Sequence, residues 1–154
     1  MALSPGSLEA WLSAAIDLSR RCPKSDRSFA VGAIIVDGAD RLLATGYSLE
    51  RGPSWHAEEV ALASAAEQHL DLRGCTLFSS LEPCSVRLSG KRPCVEHILA
   101  AGIARVVFAL AEPPLFVRCQ GRAVLEAGGV EVIHLPDLAP AVREINAHLF
   151  PPAD

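Results

Sequence analysis

The amino-acid sequence predicts an α/β fold, a three-layer α/β/α sandwich around a mixed sheet of about five strands. Two observations lead to this prediction. Apolar runs of strand length alternate with segments of helical character through the second half of the chain, which is typical of parallel strands covered on both faces. The first two apolar runs are instead separated by the turn sequence Asp37-Gly38-Ala39-Asp40, which indicates an antiparallel hairpin.

The first half of the chain is predicted to contain a helix, the hairpin and a second helix. Residues 8–20 carry apolar side chains near helical spacing. Residues 30–36 form a short apolar run that fits a buried strand, and residues 41–46 are the returning strand. Residues 56–70 are rich in alanine and glutamate, which favours a helix, with Ser54 as its predicted N-cap.

The second half is predicted to alternate strands with helices. Residues 75–80 and 105–109 are apolar strand segments. Between them lie a loop at 82–93, rich in serine, proline and basic residues, and a helix at 94–101. Gly102 is expected to end that helix, because glycine is favoured just after a helix. The last predicted elements are a helix at 121–127, a strand at 130–135 and a helix at 138–149.

Composition favours one globular domain over residues 1–154 and narrows the classes of function. Half of the residues are hydrophobic and 21% are charged, as in folded domains. The net charge of −4 argues against a general nucleic-acid binder, and no apolar run is long enough to span a membrane. Five cysteines, without an evident export sequence, predict a cytoplasmic protein whose thiols serve metal or thiol chemistry.

One histidine and two cysteines form a predicted metal site. His56 begins the second helix, and Cys84 and Cys94 each follow a proline. Zinc accepts imidazole and thiolate ligands in tetrahedral geometry, and three protein ligands leave the fourth position for water, as in catalytic sites. A purely structural zinc site, which normally has four protein ligands, is the alternative. If a helix begins at Cys94, the partial positive charge at the helix N-terminus would further favour the thiolate form of Cys94.

Glu58 is the predicted catalytic residue. It follows His56 by two positions, and side chains at that spacing share a site only where the site lies over the start of the helix. There Glu58 would sit beside the activated water without binding the metal, and it would take a proton from that water and pass it to a substrate.

The segment with the two cysteines carries a family resemblance. The deaminase pattern H-x-E…P-C-x-x-C is met by His56, Glu58 and Cys84, but residues 85–93 separate Cys84 from Cys94. The sequence EPCSVRLSGKRPCVE at 82–96 resembles the long-spaced zinc motif of riboflavin-biosynthesis deaminases, within the cytidine-deaminase-like superfamily, and is closest to the fungal type. Further similar segments are 29–35, 44–48, 56–58 and 101–106, within a resemblance that covers roughly residues 8–135.

The resemblance implies a substrate and partners. Members of that family act on a diaminopyrimidinone that bears a phosphorylated ribityl or ribosyl amine, replacing its 2-amino group by oxygen with release of ammonia. Bacterial forms carry a further histidine in the loop, where this chain has residues 85–87. They also carry a P-N-P segment, where this chain has residues 28–30. The difference favours the ribitylamino substrate. The resemblance also implies a zinc ion, a separate reductase protein and a homodimer.

Several residues are predicted to contact the substrate. The basic residues of the loop could clamp its phosphate, since arginine and lysine suit phosphate oxygens, or could belong to a solvated loop; both interpretations stay open. Small residues near the expected pocket could line it or hydrogen-bond the ring. The predicted contacts are Arg87, Lys91, Arg92, Ser28, Ala57, Ser79 and Ser80.

Three other functions remain as alternatives. The same chemistry could serve another nucleobase, nucleoside or nucleotide of the cytosine or guanine type. Deamination of a base within a nucleic acid is disfavoured by the negative charge and the absence of an evident basic or stacking surface. A non-enzymatic scaffold stabilised by zinc would leave Glu58 without a role.

Overall fold

The computed structural model describes residues 7–87, 89–116 and 118–150. The order of its elements is the predicted one. The helices are α1 (Leu8–Ser19), α2 (Ala57–Glu67), α3 (Cys94–Ala101), α4 (Gly121–Ala127) and α5 (Ala139–Ile145). The strands are β1 (Gly32–Val36), β2 (Leu42–Tyr47), β3 (Thr76–Leu81), β4 (Arg105–Leu110) and β5 (Glu131–His134).

The five strands form one mixed sheet in the order β2-β1-β3-β4-β5. β1 is antiparallel to both β2 and β3, whereas β3, β4 and β5 run parallel. The hairpin and the later parallel strands therefore share a sheet, and the predicted α/β/α fold with a mixed sheet is confirmed.

Two glycines show how helices cover both faces of the sheet. A Cβ on Gly32 of β1 would lie 1.9 Å from the carbonyl oxygen of Ala15 in α1. A Cβ on Gly46 of β2 would lie 2.4 Å from the carbonyl oxygen of Ala57 in α2. Gly46 pairs with Ala33, the neighbour of Gly32, and successive residues of a strand face opposite sides. α1 and α2 therefore pack on opposite faces of the sheet, each with its backbone directly against a glycine of a strand.

Several element boundaries differ from the prediction. His56, not Ser54, is the N-cap of α2, and Ser54 has a φ of 66°. β1 begins at Gly32 rather than residue 30, and the amides of Ala30 and Val31, just before it, donate to side chains, Asn146 Oδ1 and Ser48 Oγ. The predicted final helix is shorter, with single 3-10 turns at Pro136–Leu138 and Ala147–Leu149 on either side of α5.

The topology gathers the chemically interesting segments at one edge of the sheet. β3 and β4 are parallel and end there at Leu81 and Leu110, and β1 begins there because it is antiparallel to β3. Ligands of open α/β sheets bind at the carboxyl ends of the strands. Among the described residues, no helix combines the length and the apolar character needed to cross a bilayer.

The contact at Gly46 generates a stability prediction. G46A should lower the free energy of unfolding by about 1–3 kcal/mol, because the added methyl group overpacks a closed strand–helix contact. Urea denaturation of both proteins measures the difference. G38A is the matched control, since its Cβ meets nothing within 4 Å. Equal stability losses in the two variants would show that the Gly46 contact is not tight.

Candidate active site

A cavity of about 720 Å³ opens at the carboxyl edge of the sheet, within the range of small-molecule sites. Ser28 and Phe29, before β1, form part of its wall. His56 and Glu58, at the start of α2, and Cys84, after β3, line it as well. Three separate segments of the chain therefore converge on one concave site.

The three predicted metal ligands come together beside this cavity. His56 is the N-cap of α2, Cys84 lies three residues after β3, and Cys94 is the first residue of α3. Their ligand atoms all lie within 4.8 Å of one another. His56 Nδ1 is 3.5 Å from the Sγ atoms of both Cys84 and Cys94.

The spacing of these donor atoms fits zinc. Zinc–sulfur and zinc–nitrogen bonds of ordinary length, at a tetrahedral angle, place the sulfur and nitrogen about 3.6 Å apart. Both observed N···S distances are 3.5 Å. One imidazole and two thiols also form a donor set that zinc prefers. The residues present therefore suit a zinc ion with one coordination position left open.

The two thiols and the imidazole are electrostatically linked. The Cys94 thiol donates to Cys84, and this hydrogen bond lowers the pKa of Cys84 to about 4. The same interaction, together with burial, raises the pKa of Cys94. Burial disfavours the imidazolium of His56, but its hydrogen bond to Cys84 and the thiolate charge outweigh burial and raise the pKa of His56. The two thiols and the imidazole thus form one coupled electrostatic cluster.

Glu58 is buried next to this cluster, only 4% exposed. Burial raises the pKa of its carboxyl group. Ser79 Oγ lies 2.5 Å from Glu58 Oε1 and 2.7 Å from the Leu81 carbonyl oxygen. A hydroxyl group has one proton to donate, so Ser79 donates to ionised Glu58 and can accept from protonated Glu58 while donating to Leu81. The contact therefore suits both protonation states of Glu58.

Arg87 ties the loop between the cysteines to the start of α2. Its side chain is 1% exposed. Nη1 donates to Glu59 Oε1 and to the Arg92 carbonyl oxygen, each at 3.2 Å, and Nη2 donates to the Ser54 carbonyl oxygen. Glu59 Oε1 also accepts from the backbone amide of His56 at 3.2 Å. A continuous set of contacts thus runs from Arg87 to the backbone of His56.

The small residues among the predicted substrate contacts separate into two groups. Ser28 and Ala57 line the cavity. Ser79 contacts Glu58, and Ser80 Oγ accepts from the amide of Gly32 at 3.1 Å, so both hydroxyls serve the protein itself. Leu88, part of the family motif, lies outside the described residues.

The three basic residues of the loop also differ among themselves. Arg87 lines the cavity, but its terminal nitrogens are engaged by protein groups. Lys91 and Arg92 are exposed and are absent from the cavity wall. The structure therefore does not bring these three side chains together around a phosphate site.

Three residues at the site were missed in the sequence. Glu59 lies three residues after the N-cap His56, the spacing of a capping box, which an N-cap at Ser54 would not reveal. Glu112 follows the carboxyl end of β4, a position typical of binding residues. Arg27, at the cavity wall, lies in an irregular segment, and no sequence pattern indicates its role.

The Arg87 contacts generate a metal-binding prediction. R87A should weaken zinc binding about 10- to 100-fold, as expected when a group that orients a metal ligand is lost. Competition with a chromophoric chelator measures the affinity, and R87K tests whether charge alone suffices. R92A, an exposed arginine in the same loop, is the control. Equal affinities of R87A and R92A would remove Arg87 from the support of the metal site.

Comparison with known proteins agrees with this site. Residues 5–110 match the family model described as the cytidine and deoxycytidylate deaminase zinc-binding region. A diaminohydroxyphosphoribosylamino-pyrimidine deaminase from Schizosaccharomyces pombe is 35% identical over 133 residues, which are 85% of this chain and 33% of that protein. The chain thus spans about a third of the length of this curated relative.

Solved structures show the same architecture. An Aspergillus oryzae Rib2 deaminase superposes with a TM-score of 0.83 at 26% identity, covering 95% of this chain and 92% of that one. A Thermotoga maritima diaminohydroxyphosphoribosylaminopyrimidine deaminase/5-amino-6-(5-phosphoribosylamino)uracil reductase superposes with a TM-score of 0.79 at 29% identity, covering 92% and 39%. The resemblance inferred from the cysteine loop is confirmed. The chain belongs to the cytidine and deoxycytidylate deaminase family and carries that family's zinc-binding region.

Proposed function

We propose that residues 1–154 act as one zinc-dependent deaminase domain of the riboflavin pathway. Its substrate is a 2,5-diaminopyrimidin-4-one with a phosphorylated ribityl or ribosyl amine at position 6, and the 2-amino group leaves as ammonia. The observation that carries this proposal is that His56, Cys84 and Cys94 cluster as metal donors while His56, Cys84 and Glu58 line one cavity. The substrate class rests on the names of the similar proteins.

The chemistry follows from the positions of these residues. His56, Cys84 and Cys94 would hold zinc, which supplies activated water by lowering the pKa of water toward about 7. A carbon–oxygen bond forms at the ring carbon that bears the amine. Glu58 takes a proton from the attacking water and delivers it to the ring nitrogen.

The second half of the reaction uses the same carboxyl group. Glu58 passes the second proton of the water to the amine, the carbon–nitrogen bond breaks, and ammonia leaves. Ser79 supports Glu58 in both protonation states, because its hydroxyl is able to donate to the carboxylate or to accept from the acid.

The wider setting follows from the same proposal. The product still carries the sugar chain, and its reduction, where the ribosyl compound is used, requires a separate reductase. Five free cysteines, two of them in the metal set, suit a reducing cytoplasm. The chain is also proposed to assemble as a homodimer. Sedimentation of the zinc-loaded protein measures its oligomeric state.

Glu58 provides the sharpest test of the mechanism. E58Q should lower kcat about 10²- to 10⁴-fold, the range that general acid–base catalysis supplies, and zinc should stay bound because Glu58 is not a ligand. Ammonia release and metal content are measured on the same sample. An E58Q protein that keeps both zinc and full turnover contradicts the role of Glu58. Loss of zinc from E58Q would instead indicate a structural role.

Arg27 is proposed to contact the phosphate of the substrate. Among the described residues, Arg27 and Arg87 are the arginines or lysines that line the cavity. Arg87 is buried and its terminal nitrogens are engaged, whereas Arg27 is exposed. The guanidinium group of Arg27 makes no hydrogen bond or ion pair with the part of the chain that the structure describes, so it remains available for a dianion.

A substrate panel tests the function and this contact together. Zinc-loaded protein should deaminate the ribityl or ribosyl phosphate in preference to dCMP, cytidine and guanine. R27A should raise KM for the phosphorylated compound about tenfold or more, since a charge-assisted contact is lost, and leave the dephosphorylated compound unchanged. K91A is the control. Turnover of dCMP alone would favour the alternative, a nucleotide deaminase, and equal effects of R27A on both compounds would contradict the phosphate contact.

A further inference from the structure

One wall of the cavity is formed by a segment without helix or strand. Residues 25–31, called here the wall segment, have neither helical nor strand structure. The backbone of a helix or strand is fixed by its regular hydrogen bonds, whereas an irregular segment depends on other contacts for its position. The residues that line the cavity from this segment include Arg27, Ser28, Phe29 and Val31. Contacts made to the wall segment therefore shape one side of the cavity.

Asn146 binds the backbone of the wall segment from the other end of the chain. It is the C-cap of α5, and its side chain is completely buried, with 0% exposure. Oδ1 accepts from the amide of Ala30 at 2.7 Å. Nδ2 donates to the carbonyl oxygen of Ala30 at 3.2 Å and to that of Val142 at 3.1 Å. One side-chain amide thus pairs both backbone polar groups of Ala30.

Two further residues after α5 contact the wall segment. His148 Nε2 donates to the carbonyl oxygen of Ser25 at 2.9 Å. The ring centroid of Phe150 lies 6.3 Å from that of Phe29, which is buried. The segment after α5 therefore contacts the wall segment near both of its ends.

The zinc ligands and Glu58 stand on other elements, at the start of α2, after β3 and at the start of α3. The contacts from the segment after α5 thus reach the wall of the cavity rather than the groups assigned to the chemistry. Resting on the function proposed above, we propose that Asn146 and His148 are positioning residues that hold the wall segment in the shape that binds the substrate. Both lie outside residues 5–110, which match the family model.

The assignment predicts an effect on substrate binding rather than on the chemical step. An interaction that acts equally on bound substrate and transition state changes KM and leaves kcat unchanged. Removing the Asn146 side chain leaves the buried amide and carbonyl groups of Ala30 without their partner, so the wall segment loses its fixed position. Substrate should then bind more weakly, while the metal site and Glu58 keep their arrangement.

The first test measures N146A with the ribityl and ribosyl diaminopyrimidinone phosphates. N146A should raise KM about tenfold, since buried backbone groups lose their hydrogen bonds, and kcat and zinc content should stay at the wild-type values. V142A is the matched control. It removes buried methyl groups from the same helix but keeps the backbone carbonyl that Asn146 binds, so it should lower stability without raising KM.

A second pair of variants keeps the proposal testable if N146A does not fold. His148 is exposed, so its replacement removes no core packing. H148A should raise KM about threefold, because a single hydrogen bond at the surface is lost. H148Q retains an amide that can donate to the Ser25 carbonyl oxygen and should restore the wild-type KM.

Trypsin provides a measurement that needs no turnover. Lys24 and Arg27 are exposed and offer cleavage sites beside and within the wall segment. Cleavage after them should be about tenfold faster in N146A than in V142A, since a segment that has lost its anchors opens locally at lower cost in free energy. Mass spectrometry of the fragments identifies the sites.

The outcomes separate this assignment from the proposed function. A wild-type KM in folded N146A, an equal rise of KM in V142A, or a loss confined to kcat overturns the positioning role and leaves the deaminase proposal standing. With N146A unfolded, a wild-type KM in H148A, or no rescue by H148Q, does the same. A zinc-loaded wild type that turns over neither phosphate overturns the proposed function. The anchoring of the wall segment is then decided by trypsin alone, and equal cleavage of N146A and V142A overturns it.

Discussion

The start of α2 is the place on which the rest of the site depends. Gly46 lets this helix touch β2 at backbone distance, so its first turn has one position relative to the sheet. That turn carries His56 as N-cap, Glu58 as a buried acid, and Glu59, which accepts from the amide of His56. A shift of the helix would move all three together. The close strand–helix contact is therefore a condition for the metal site as well as for stability.

Four glutamates near the cavity have different tasks because their neighbours differ. Glu59 and Glu82 accept from backbone amides and hold segments together. Glu58 meets a single hydroxyl that can donate or accept, which suits proton transfer. Glu112 is partly buried beside Cys119, and burial raises its pKa to about 7. The hydrogen-bond partners, more than the residue type, determine what each carboxyl group does.

Arg87 shows how tertiary packing decides the surroundings of a basic side chain. The sequence leaves open a phosphate contact or a solvated loop for this arginine, whereas in the structure its side chain is buried and bonded to Glu59 and to the Ser54 carbonyl oxygen. Arg27, from an irregular segment, is the exposed cation at the cavity wall. Which of two basic side chains meets solvent depends on how loops pack, and loop packing leaves no periodic pattern in the sequence.

The sequence by itself determined the order of the elements, the mixed sheet and the donor set of His56, Cys84 and Cys94. Hydrophobic periodicity and ligand chemistry are local properties, and they can be recognised without coordinates. Only the tertiary structure decided that His56 caps α2, that Ser79 faces Glu58 and that Glu112 lies at the cavity. These relations join residues from different strands and helices. They are set by strand order and by the close packing of α2 on the sheet, which bring distant segments to the same edge.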